Sequence, residues 1–231
     1  MPRPASAHRA GRTGRWPGTK RILTSALPGL LFALLAPSAR AQSFEIWNGA
    51  EVEAINRARL QLRIRGEYRS SDMYRNFQSI RGIVEARVPI SKHFAATGQY
   101  QSVETHGNFS GWDEYNRASG GAEFPFESRN LTVTPRVAVD HFWYAGRTDY
   151  NRHRERVVVR MKNLLFQPQI GAEIFADSKG WAATRIITGA IFPVYRNLIL
   201  DAGYYYDWRP PNQGGDRHIV YTFFRLRRPR G

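Results

Sequence analysis

The chain has 231 residues, no cysteine, and 34 Lys+Arg against 19 Asp+Glu, a formal net charge of +15. That length allows one sizeable domain, and the lack of cysteine excludes disulfide frameworks, thiolate metal sites and cysteine nucleophiles. Hydrophobic content is 42% and aromatic content 13%, while a charged fraction of 23% excludes a bundle of transmembrane helices.

The charge is unevenly spread. Residues 1–41 carry seven basic residues (Arg3, Arg9, Arg12, Arg15, Lys20, Arg21, Arg40) and no acidic one, which leaves twenty-seven basic against nineteen acidic residues, a net +8, on the other 190. Residues 1–21 read as a basic n-region, and residues 22–36 form a fifteen-residue uncharged run rich in Leu. That run is shorter than the roughly 20 residues that span a bilayer. Ala39-Arg40-Ala41 follows as a small-x-small cleavage pattern. Segment 1–41 is therefore expected to be a cleaved secretory signal peptide, with Ala39 and Ala41 as the cleavage signal, rather than a mitochondrial leader.

Beyond residue 41 no stretch approaches eighteen uncharged apolar residues, and period-two alternation recurs instead. A strand sends alternate residues to opposite faces, where a helix would scatter them. Segment 44–53, within an N-terminal lead-in 42–57, is a strand of uncertain placement. In 58–69, Leu60, Leu62, Ile64, Gly66 and Tyr68 oppose Arg59, Gln61, Arg63, Arg65, Glu67 and Arg69. In 77–88, Ile80, Gly82, Val84, Ala86 and Val88 oppose Arg81, Glu85 and Arg87. Strands at 93–104 and 114–126 precede 130–144, where Leu131, Val133, Pro135, Val137 and Val139 oppose Arg136 and Asp140. In 151–161, Arg152, Arg154, Arg156 and Arg160 oppose Val157, Val159 and Met161. In 165–177, Phe166, Pro168, Ile170, Ala172 and Ile174 oppose Glu173 and Asp177. Segment 182–192 brings Arg185. In 197–208, Leu198, Leu200, Ala202, Tyr204 and Tyr206 oppose Asp201 and Asp207, and a last strand spans 217–226 ahead of a basic tail, 227–231.

Connections alternate between tight ones (89–92, 127–129, 162–164, 193–196) and mostly longer ones rich in Gly, Asp, Asn and Pro, as in an outer-membrane barrel. Alternation alone does not say which face meets water. Aromatic placement helps. Phe94, Phe124, Phe126, Phe166, Phe192 and Phe224 fall at the tight-turn ends of the apolar face, and Tyr68, Tyr100, Trp143, Tyr206 and Trp208 at the other ends. Two aromatic bands around an aliphatic zone match interfacial girdles. The expected fold is all-β: a closed antiparallel up-and-down transmembrane barrel over 58–226, with ten strands favoured in a range of ten to twelve. Closure follows because an open sheet edge in hydrocarbon leaves unpaired backbone groups. With both ends on the periplasmic side the strand number is expected to be even.

Trp47, Gly66-Glu67-Tyr68-Arg69, Asn151-Arg152-His153-Arg154-Glu155-Arg156, Glu173-Ile174-Phe175 and Asp201-Ala202-Gly203-Tyr204 together resemble an uncharacterised bacterial family of outer-membrane-barrel type, the domain of unknown function 2490 family. The resemblance runs through most of 44–226. It implies the barrel fold and a Gram-negative outer-membrane location, and it implies no activity. One departure is that Phe224 is followed by seven further residues, where such barrels usually end on an aromatic residue.

The polar face is the one concentrated chemical feature. Its expected lumen-lining residues are Arg59, Arg63, Arg65, Glu67, Arg69, Arg81, Glu85, Arg87, Arg136, Asp140, Arg152, Arg154, Arg156, Arg160, Glu173, Arg185 and Asp201. Arginine and carboxylate interlock as structural ion pairs, and the arginine surplus favours small anions in a narrow, porin-like path. Loop-end Arg75, Arg147, Lys179 and Arg209 can meet lipid phosphates. No catalytic residue, metal ligand or cofactor is expected. The five histidines after residue 41 are dispersed, and His106 with Ser102 or Ser110, or Asp140-His141, forms no recognisable motif. The alternatives are a lipid acyl hydrolase or transferase of the outer membrane, and a soluble periplasmic barrel that carries small apolar ligands. Expected partners are outer-membrane lipid, the barrel-assembly machinery and small anions, without nucleic acid, because the aromatics lie mostly opposite the arginines.

Overall fold

The computed structural model describes residues 43–71, 76–107, 111–146, 148–210 and 215–228. Segment 1–41, expected to be a signal peptide, with Ala39 and Ala41, and Arg75, Ser110 and Arg147, lie outside the described residues. The chain folds as β1 (Ser43–Arg57), β2 (Leu60–Ser71), β3 (Asn76–Ser91), β4 (Phe94–Gly107), β5 (Gly111–Glu123), β6 (Phe126–Glu127), β7 (Leu131–Tyr144), β8 (Tyr150–Met161), β9 (Gln167–Asp177), β10 (Gly180–Tyr195), β11 (Leu198–Trp208) and β12 (Arg217–Leu226). Sequential strands pair as antiparallel hairpins, β5 pairs with β7, and β1 pairs with β12, so the sheet closes. The wall is a mixed barrel of eleven strands, with two-residue β6 extending the β5 edge.

The strand number falls within the expected range, and the strand beyond ten is β1. It runs parallel to β12 from Ser43↔Arg217 to Val52↔Leu226. An up-and-down sheet with an odd number of strands must bring its first and last strands together in the same direction. The premise of an even count, both ends on one rim, does not hold. Ser43 begins at the rim of the longer connections and Leu226 ends at the rim of the tight turns.

Local chemistry sets the breaks. The β5–β7 ladder ends at Glu123↔Arg136, beside Pro125 and Pro135, neither of which has an N–H to donate. Phe124 N–H still reaches Pro135 O at 2.9 Å, and β6 resumes pairing at Phe126↔Val133. Pro89 and Pro193 each sit at a bulge near a strand end. The tight β9–β10 turn needs Gly180 at φ +103°, a conformation that side chains disfavour. Past β12 the chain is tied to β1: Arg228 N–H donates to Glu53 at 3.1 Å, its guanidinium to Ala54 O at 2.7 Å, and Asn56 Nδ2 to Arg228 O at 2.7 Å.

The two faces of the wall differ sharply. Outside stand exposed Ile64, Ile80, Val84, Val137, Val139, Val157, Ile170, Ile174 and Ile186. Inside, Glu67, Arg136, Asp140, Glu173, Asp201 and Asp207 are buried. Trp47, Ile219, Tyr221 and Phe223 form an apolar cluster on the inner side of β1 and β12, with Tyr205 packed against it.

Candidate functional site

A cavity of about 720 Å³ occupies the barrel interior. Fifteen arginines line it: residues 63, 65, 69, 81, 87, 117, 136, 152, 154, 156, 160, 185, 209, 217 and 225. Eleven carboxylates oppose them, eight on the cavity wall and three (Glu45, Asp140, Asp207) buried behind arginines they contact. Among the described residues the interior therefore carries four more cations than anions.

Strand register explains who meets whom. Asp140 on β7 stands beside Ser119 on β5 and Arg152 on β8. It accepts from Ser119 at 2.5 Å and from Arg152 at 2.9 Å, with Arg154 at 3.2 Å and Arg117 at 3.8 Å. Arg185 on β10 lies between Glu173 (3.6 Å) and Asp207 (2.6 Å). Asp207 also takes Arg209 at 3.0 Å, and Glu45 holds Arg217 at 2.8 Å. Arg209 lies beyond the end of β11, where burial holds its guanidinium below its ordinary pKa, helped by Arg217 and opposed by Asp207. Arg136 spans the interior to Glu85 (3.2 Å) and touches Glu123 (3.6 Å), which also holds Arg87 at 2.8 Å. Arg225 pairs with Asp201 at 2.6 Å, and Glu67 pairs with Arg69.

Three of the fifteen arginines, Arg81, Arg156 and Arg160, have no carboxylate of a described residue within 4 Å. Arg81 donates to Ser79 at 3.2 Å and Arg160 to Gln169 at 3.3 Å. Several guanidinium N–H groups, including Nε of Arg65, Arg117, Arg136, Arg156 and Arg225, are buried without a hydrogen-bond partner among the described residues.

Aromatic rings divide the interior. Arg69 and Arg185 both lie over the Trp47 ring, at 3.2 and 5.1 Å from its centroid. Tyr115, Phe142, Tyr144 and Tyr150 pack together near the rim of the longer connections, the Phe142 and Tyr150 rings parallel at 4.5 Å, with Arg152 over Phe142 at 4.7 Å. Tyr221 lies across Gly203 and Gly189, whose missing side chains leave its path open, and its hydroxyl accepts from Gln169 at 3.0 Å. These inner rings were not anticipated: a single strand's alternation places a Tyr or Phe on the arginine side without saying that it packs there.

Of the residues expected in the lumen, Arg63, Arg65, Glu67, Arg69, Arg81, Glu85, Arg87, Arg136, Arg152, Arg154, Arg156, Arg160, Glu173, Arg185 and Asp201 lie on the cavity wall, and Asp140 is buried behind them. Arg59 does not. It occupies the β1–β2 turn, exposed, because β2 begins at Leu60. Glu45 and Glu51 were missed because β1 had no assigned neighbour. The Phe and Tyr residues expected on the apolar face stand outside: Phe94 packs on Phe124, Phe166 on Phe192, and Trp208 on Trp181. Tyr100 donates to Asn116, Tyr206 to Asp216, and Phe126, Trp143 and Phe224 are exposed. Tyr68 takes the outer register of β2.

Ser102 and His106 share the outer register of β4, four residues or about 13 Å apart. Asp140 and His141 point to opposite faces, and His141 Nδ1 meets Asn151 Oδ1 at 2.7 Å. Neither pair forms a charge-relay contact. Among the described residues no three His, Asp or Glu side chains gather as a metal site. The chain matches no family model, no curated protein and no solved structure.

Proposed function

We propose that this protein is an integral outer-membrane β-barrel whose arginine-rich interior favours anions along a narrow path. The observation that carries it is the inversion of the wall, with aliphatic rows outward and ion pairs inward. A water-soluble barrel seldom exposes so large a contiguous apolar surface, whereas the arrangement is ordinary where the outer solvent is hydrocarbon. Outer aromatics near both rims support the same placement. The exported leader read from residues 1–41 fits such a destination.

The interior is mostly filled. A free volume of about 720 Å³ corresponds to roughly two dozen waters at about 30 Å³ each, far less than a general-diffusion channel holds. Surplus arginine in such a confined space attracts anions and repels cations.

Cell fractionation followed by gel electrophoresis with and without boiling is the direct test. The expected result is retention in membranes after carbonate washing, with a compact unboiled band. Release by carbonate without heat-dependent mobility would end the membrane assignment. In planar bilayers, small conductance steps with an anion-selective reversal potential are expected. Insertion without conductance would leave a closed, structural barrel.

A further inference from the structure

Guanidinium groups crowd the waist of the lumen. Arg63 and Arg65 enter from β2, Arg136 from β7 and Arg156 from β8; in the strand registers Arg63 stands opposite Glu85 of β3 and Arg156 opposite Arg136. Of the four, Arg136 makes the ion pair with Glu85, at 3.2 Å. Arg63 and Arg65 approach Glu51 at 4.0 and 3.9 Å, a carboxylate also shared with Arg225 at 3.9 Å. Arg156 has no carboxylate partner among the described residues. The Nε–H groups of Arg65, Arg136 and Arg156 are buried without a hydrogen-bond partner there, although Arg65 Nε also lies 3.6 Å from Glu67 and Arg136 touches Glu123 at 3.6 Å, and Arg136 is only 7% exposed.

Water can satisfy an idle N–H, but it cannot cancel the charge. Guanidinium keeps its proton in proteins, so the surplus has to be met by an anion. The forked donors of arginine match oxygens held on a tetrahedral centre better than they match a spherical halide. We propose that the waist, between Arg65, Arg136 and Arg156, binds a tetrahedral dianion of the phosphate class, either the free ion or the terminal group of a small monoester. The cavity has room for either. This rests on the anion-favouring lumen proposed above and narrows it from anions in general to one class with one seat.

The test uses the full chain refolded in detergent, with binding of inorganic phosphate measured at constant ionic strength against chloride and acetate, and glycerol phosphate as the monoester arm. Saturable phosphate binding is expected, about ten-fold weaker in Arg156→Gln, the loss of one charge-assisted contact. Because Arg156 has no carboxylate of a described residue within 4 Å, this variant breaks no ion pair among them and should keep the compact unboiled band. Arg81→Gln removes the same charge four residues along β3 from Glu85, about 13 Å away, and should leave binding within about two-fold. Tighter binding of the monoester than of phosphate would identify an ester as the ligand; the reverse would identify the free ion. Chloride binding as well as phosphate, or equal losses in Arg81→Gln and Arg156→Gln, would overturn the seat. Absence of a compact band in the unaltered chain would instead strike the barrel assignment beneath it.

Discussion

Asp140 shows what one carboxylate does in this interior. It is fully buried, accepts from Ser119, and lies within 4 Å of Arg117, Arg152 and Arg154. Asp140→Asn would keep the shape and leave three cations around a neutral amide. Breaking a buried ion pair in this way costs about 3 kcal/mol or more, so the temperature at which the compact band disappears should fall clearly. Asp149→Asn, an exposed change near His141 at 4.0 Å, should leave that temperature nearly unchanged. The sequence made the cationic side legible residue by residue where, as along β8, Arg152, Arg154, Arg156 and Arg160 fall on one period-two face. It could not reveal Asp140 as a hub. Its partners come from β5 and β8, and they meet only through cross-strand register.

At the scale of the strand, the inner surface of β9 to β12 is shaped by one ring and two glycines. A β-carbon at Gly189 would collide first with the Tyr221 hydroxyl. Gly189→Ala is therefore expected to cost about 1–3 kcal/mol through overpacking. Tyr221→Phe removes that hydroxyl, so the double variant should recover part of the loss, a coupling that a double-mutant cycle of urea unfolding measures. Additive losses would mean that the hydroxyl is not what a side chain at Gly189 meets. Strand positions were readable from alternation to within a few residues, including the segment that became β1. Its neighbour was not readable. Glu45, Trp47, Gly49 and Glu51 share a face in any sheet, but nothing local states that this face continues across β12.

For the molecule as a whole, the decisive property is which solvent wets the aliphatic rows. Val139 is 44% exposed on the outer wall. If that wall faces acyl chains, Val139→Arg should weaken folding into lipid vesicles by about 2–4 kcal/mol. If it faces water, the same change should stay within about 0.5 kcal/mol, as surface substitutions usually do. Urea titration of the vesicle-folded chain separates the two. The closed all-β architecture was legible because edge avoidance and alternation both demanded it. The parity was not, since it depends on where the chain ends lie, and no residue encodes that locally. The side-by-side, same-direction seam of β1 and β12 has its own consequence for biogenesis. If the wall spans a bilayer as proposed, a marker fused ahead of Ser43 and another behind Leu226 would look out on different compartments. Whichever compartment supplied the polypeptide, one extremity would then have to be threaded through the whole thickness of the bilayer, a demand from which barrels with both extremities on the supplying side are free.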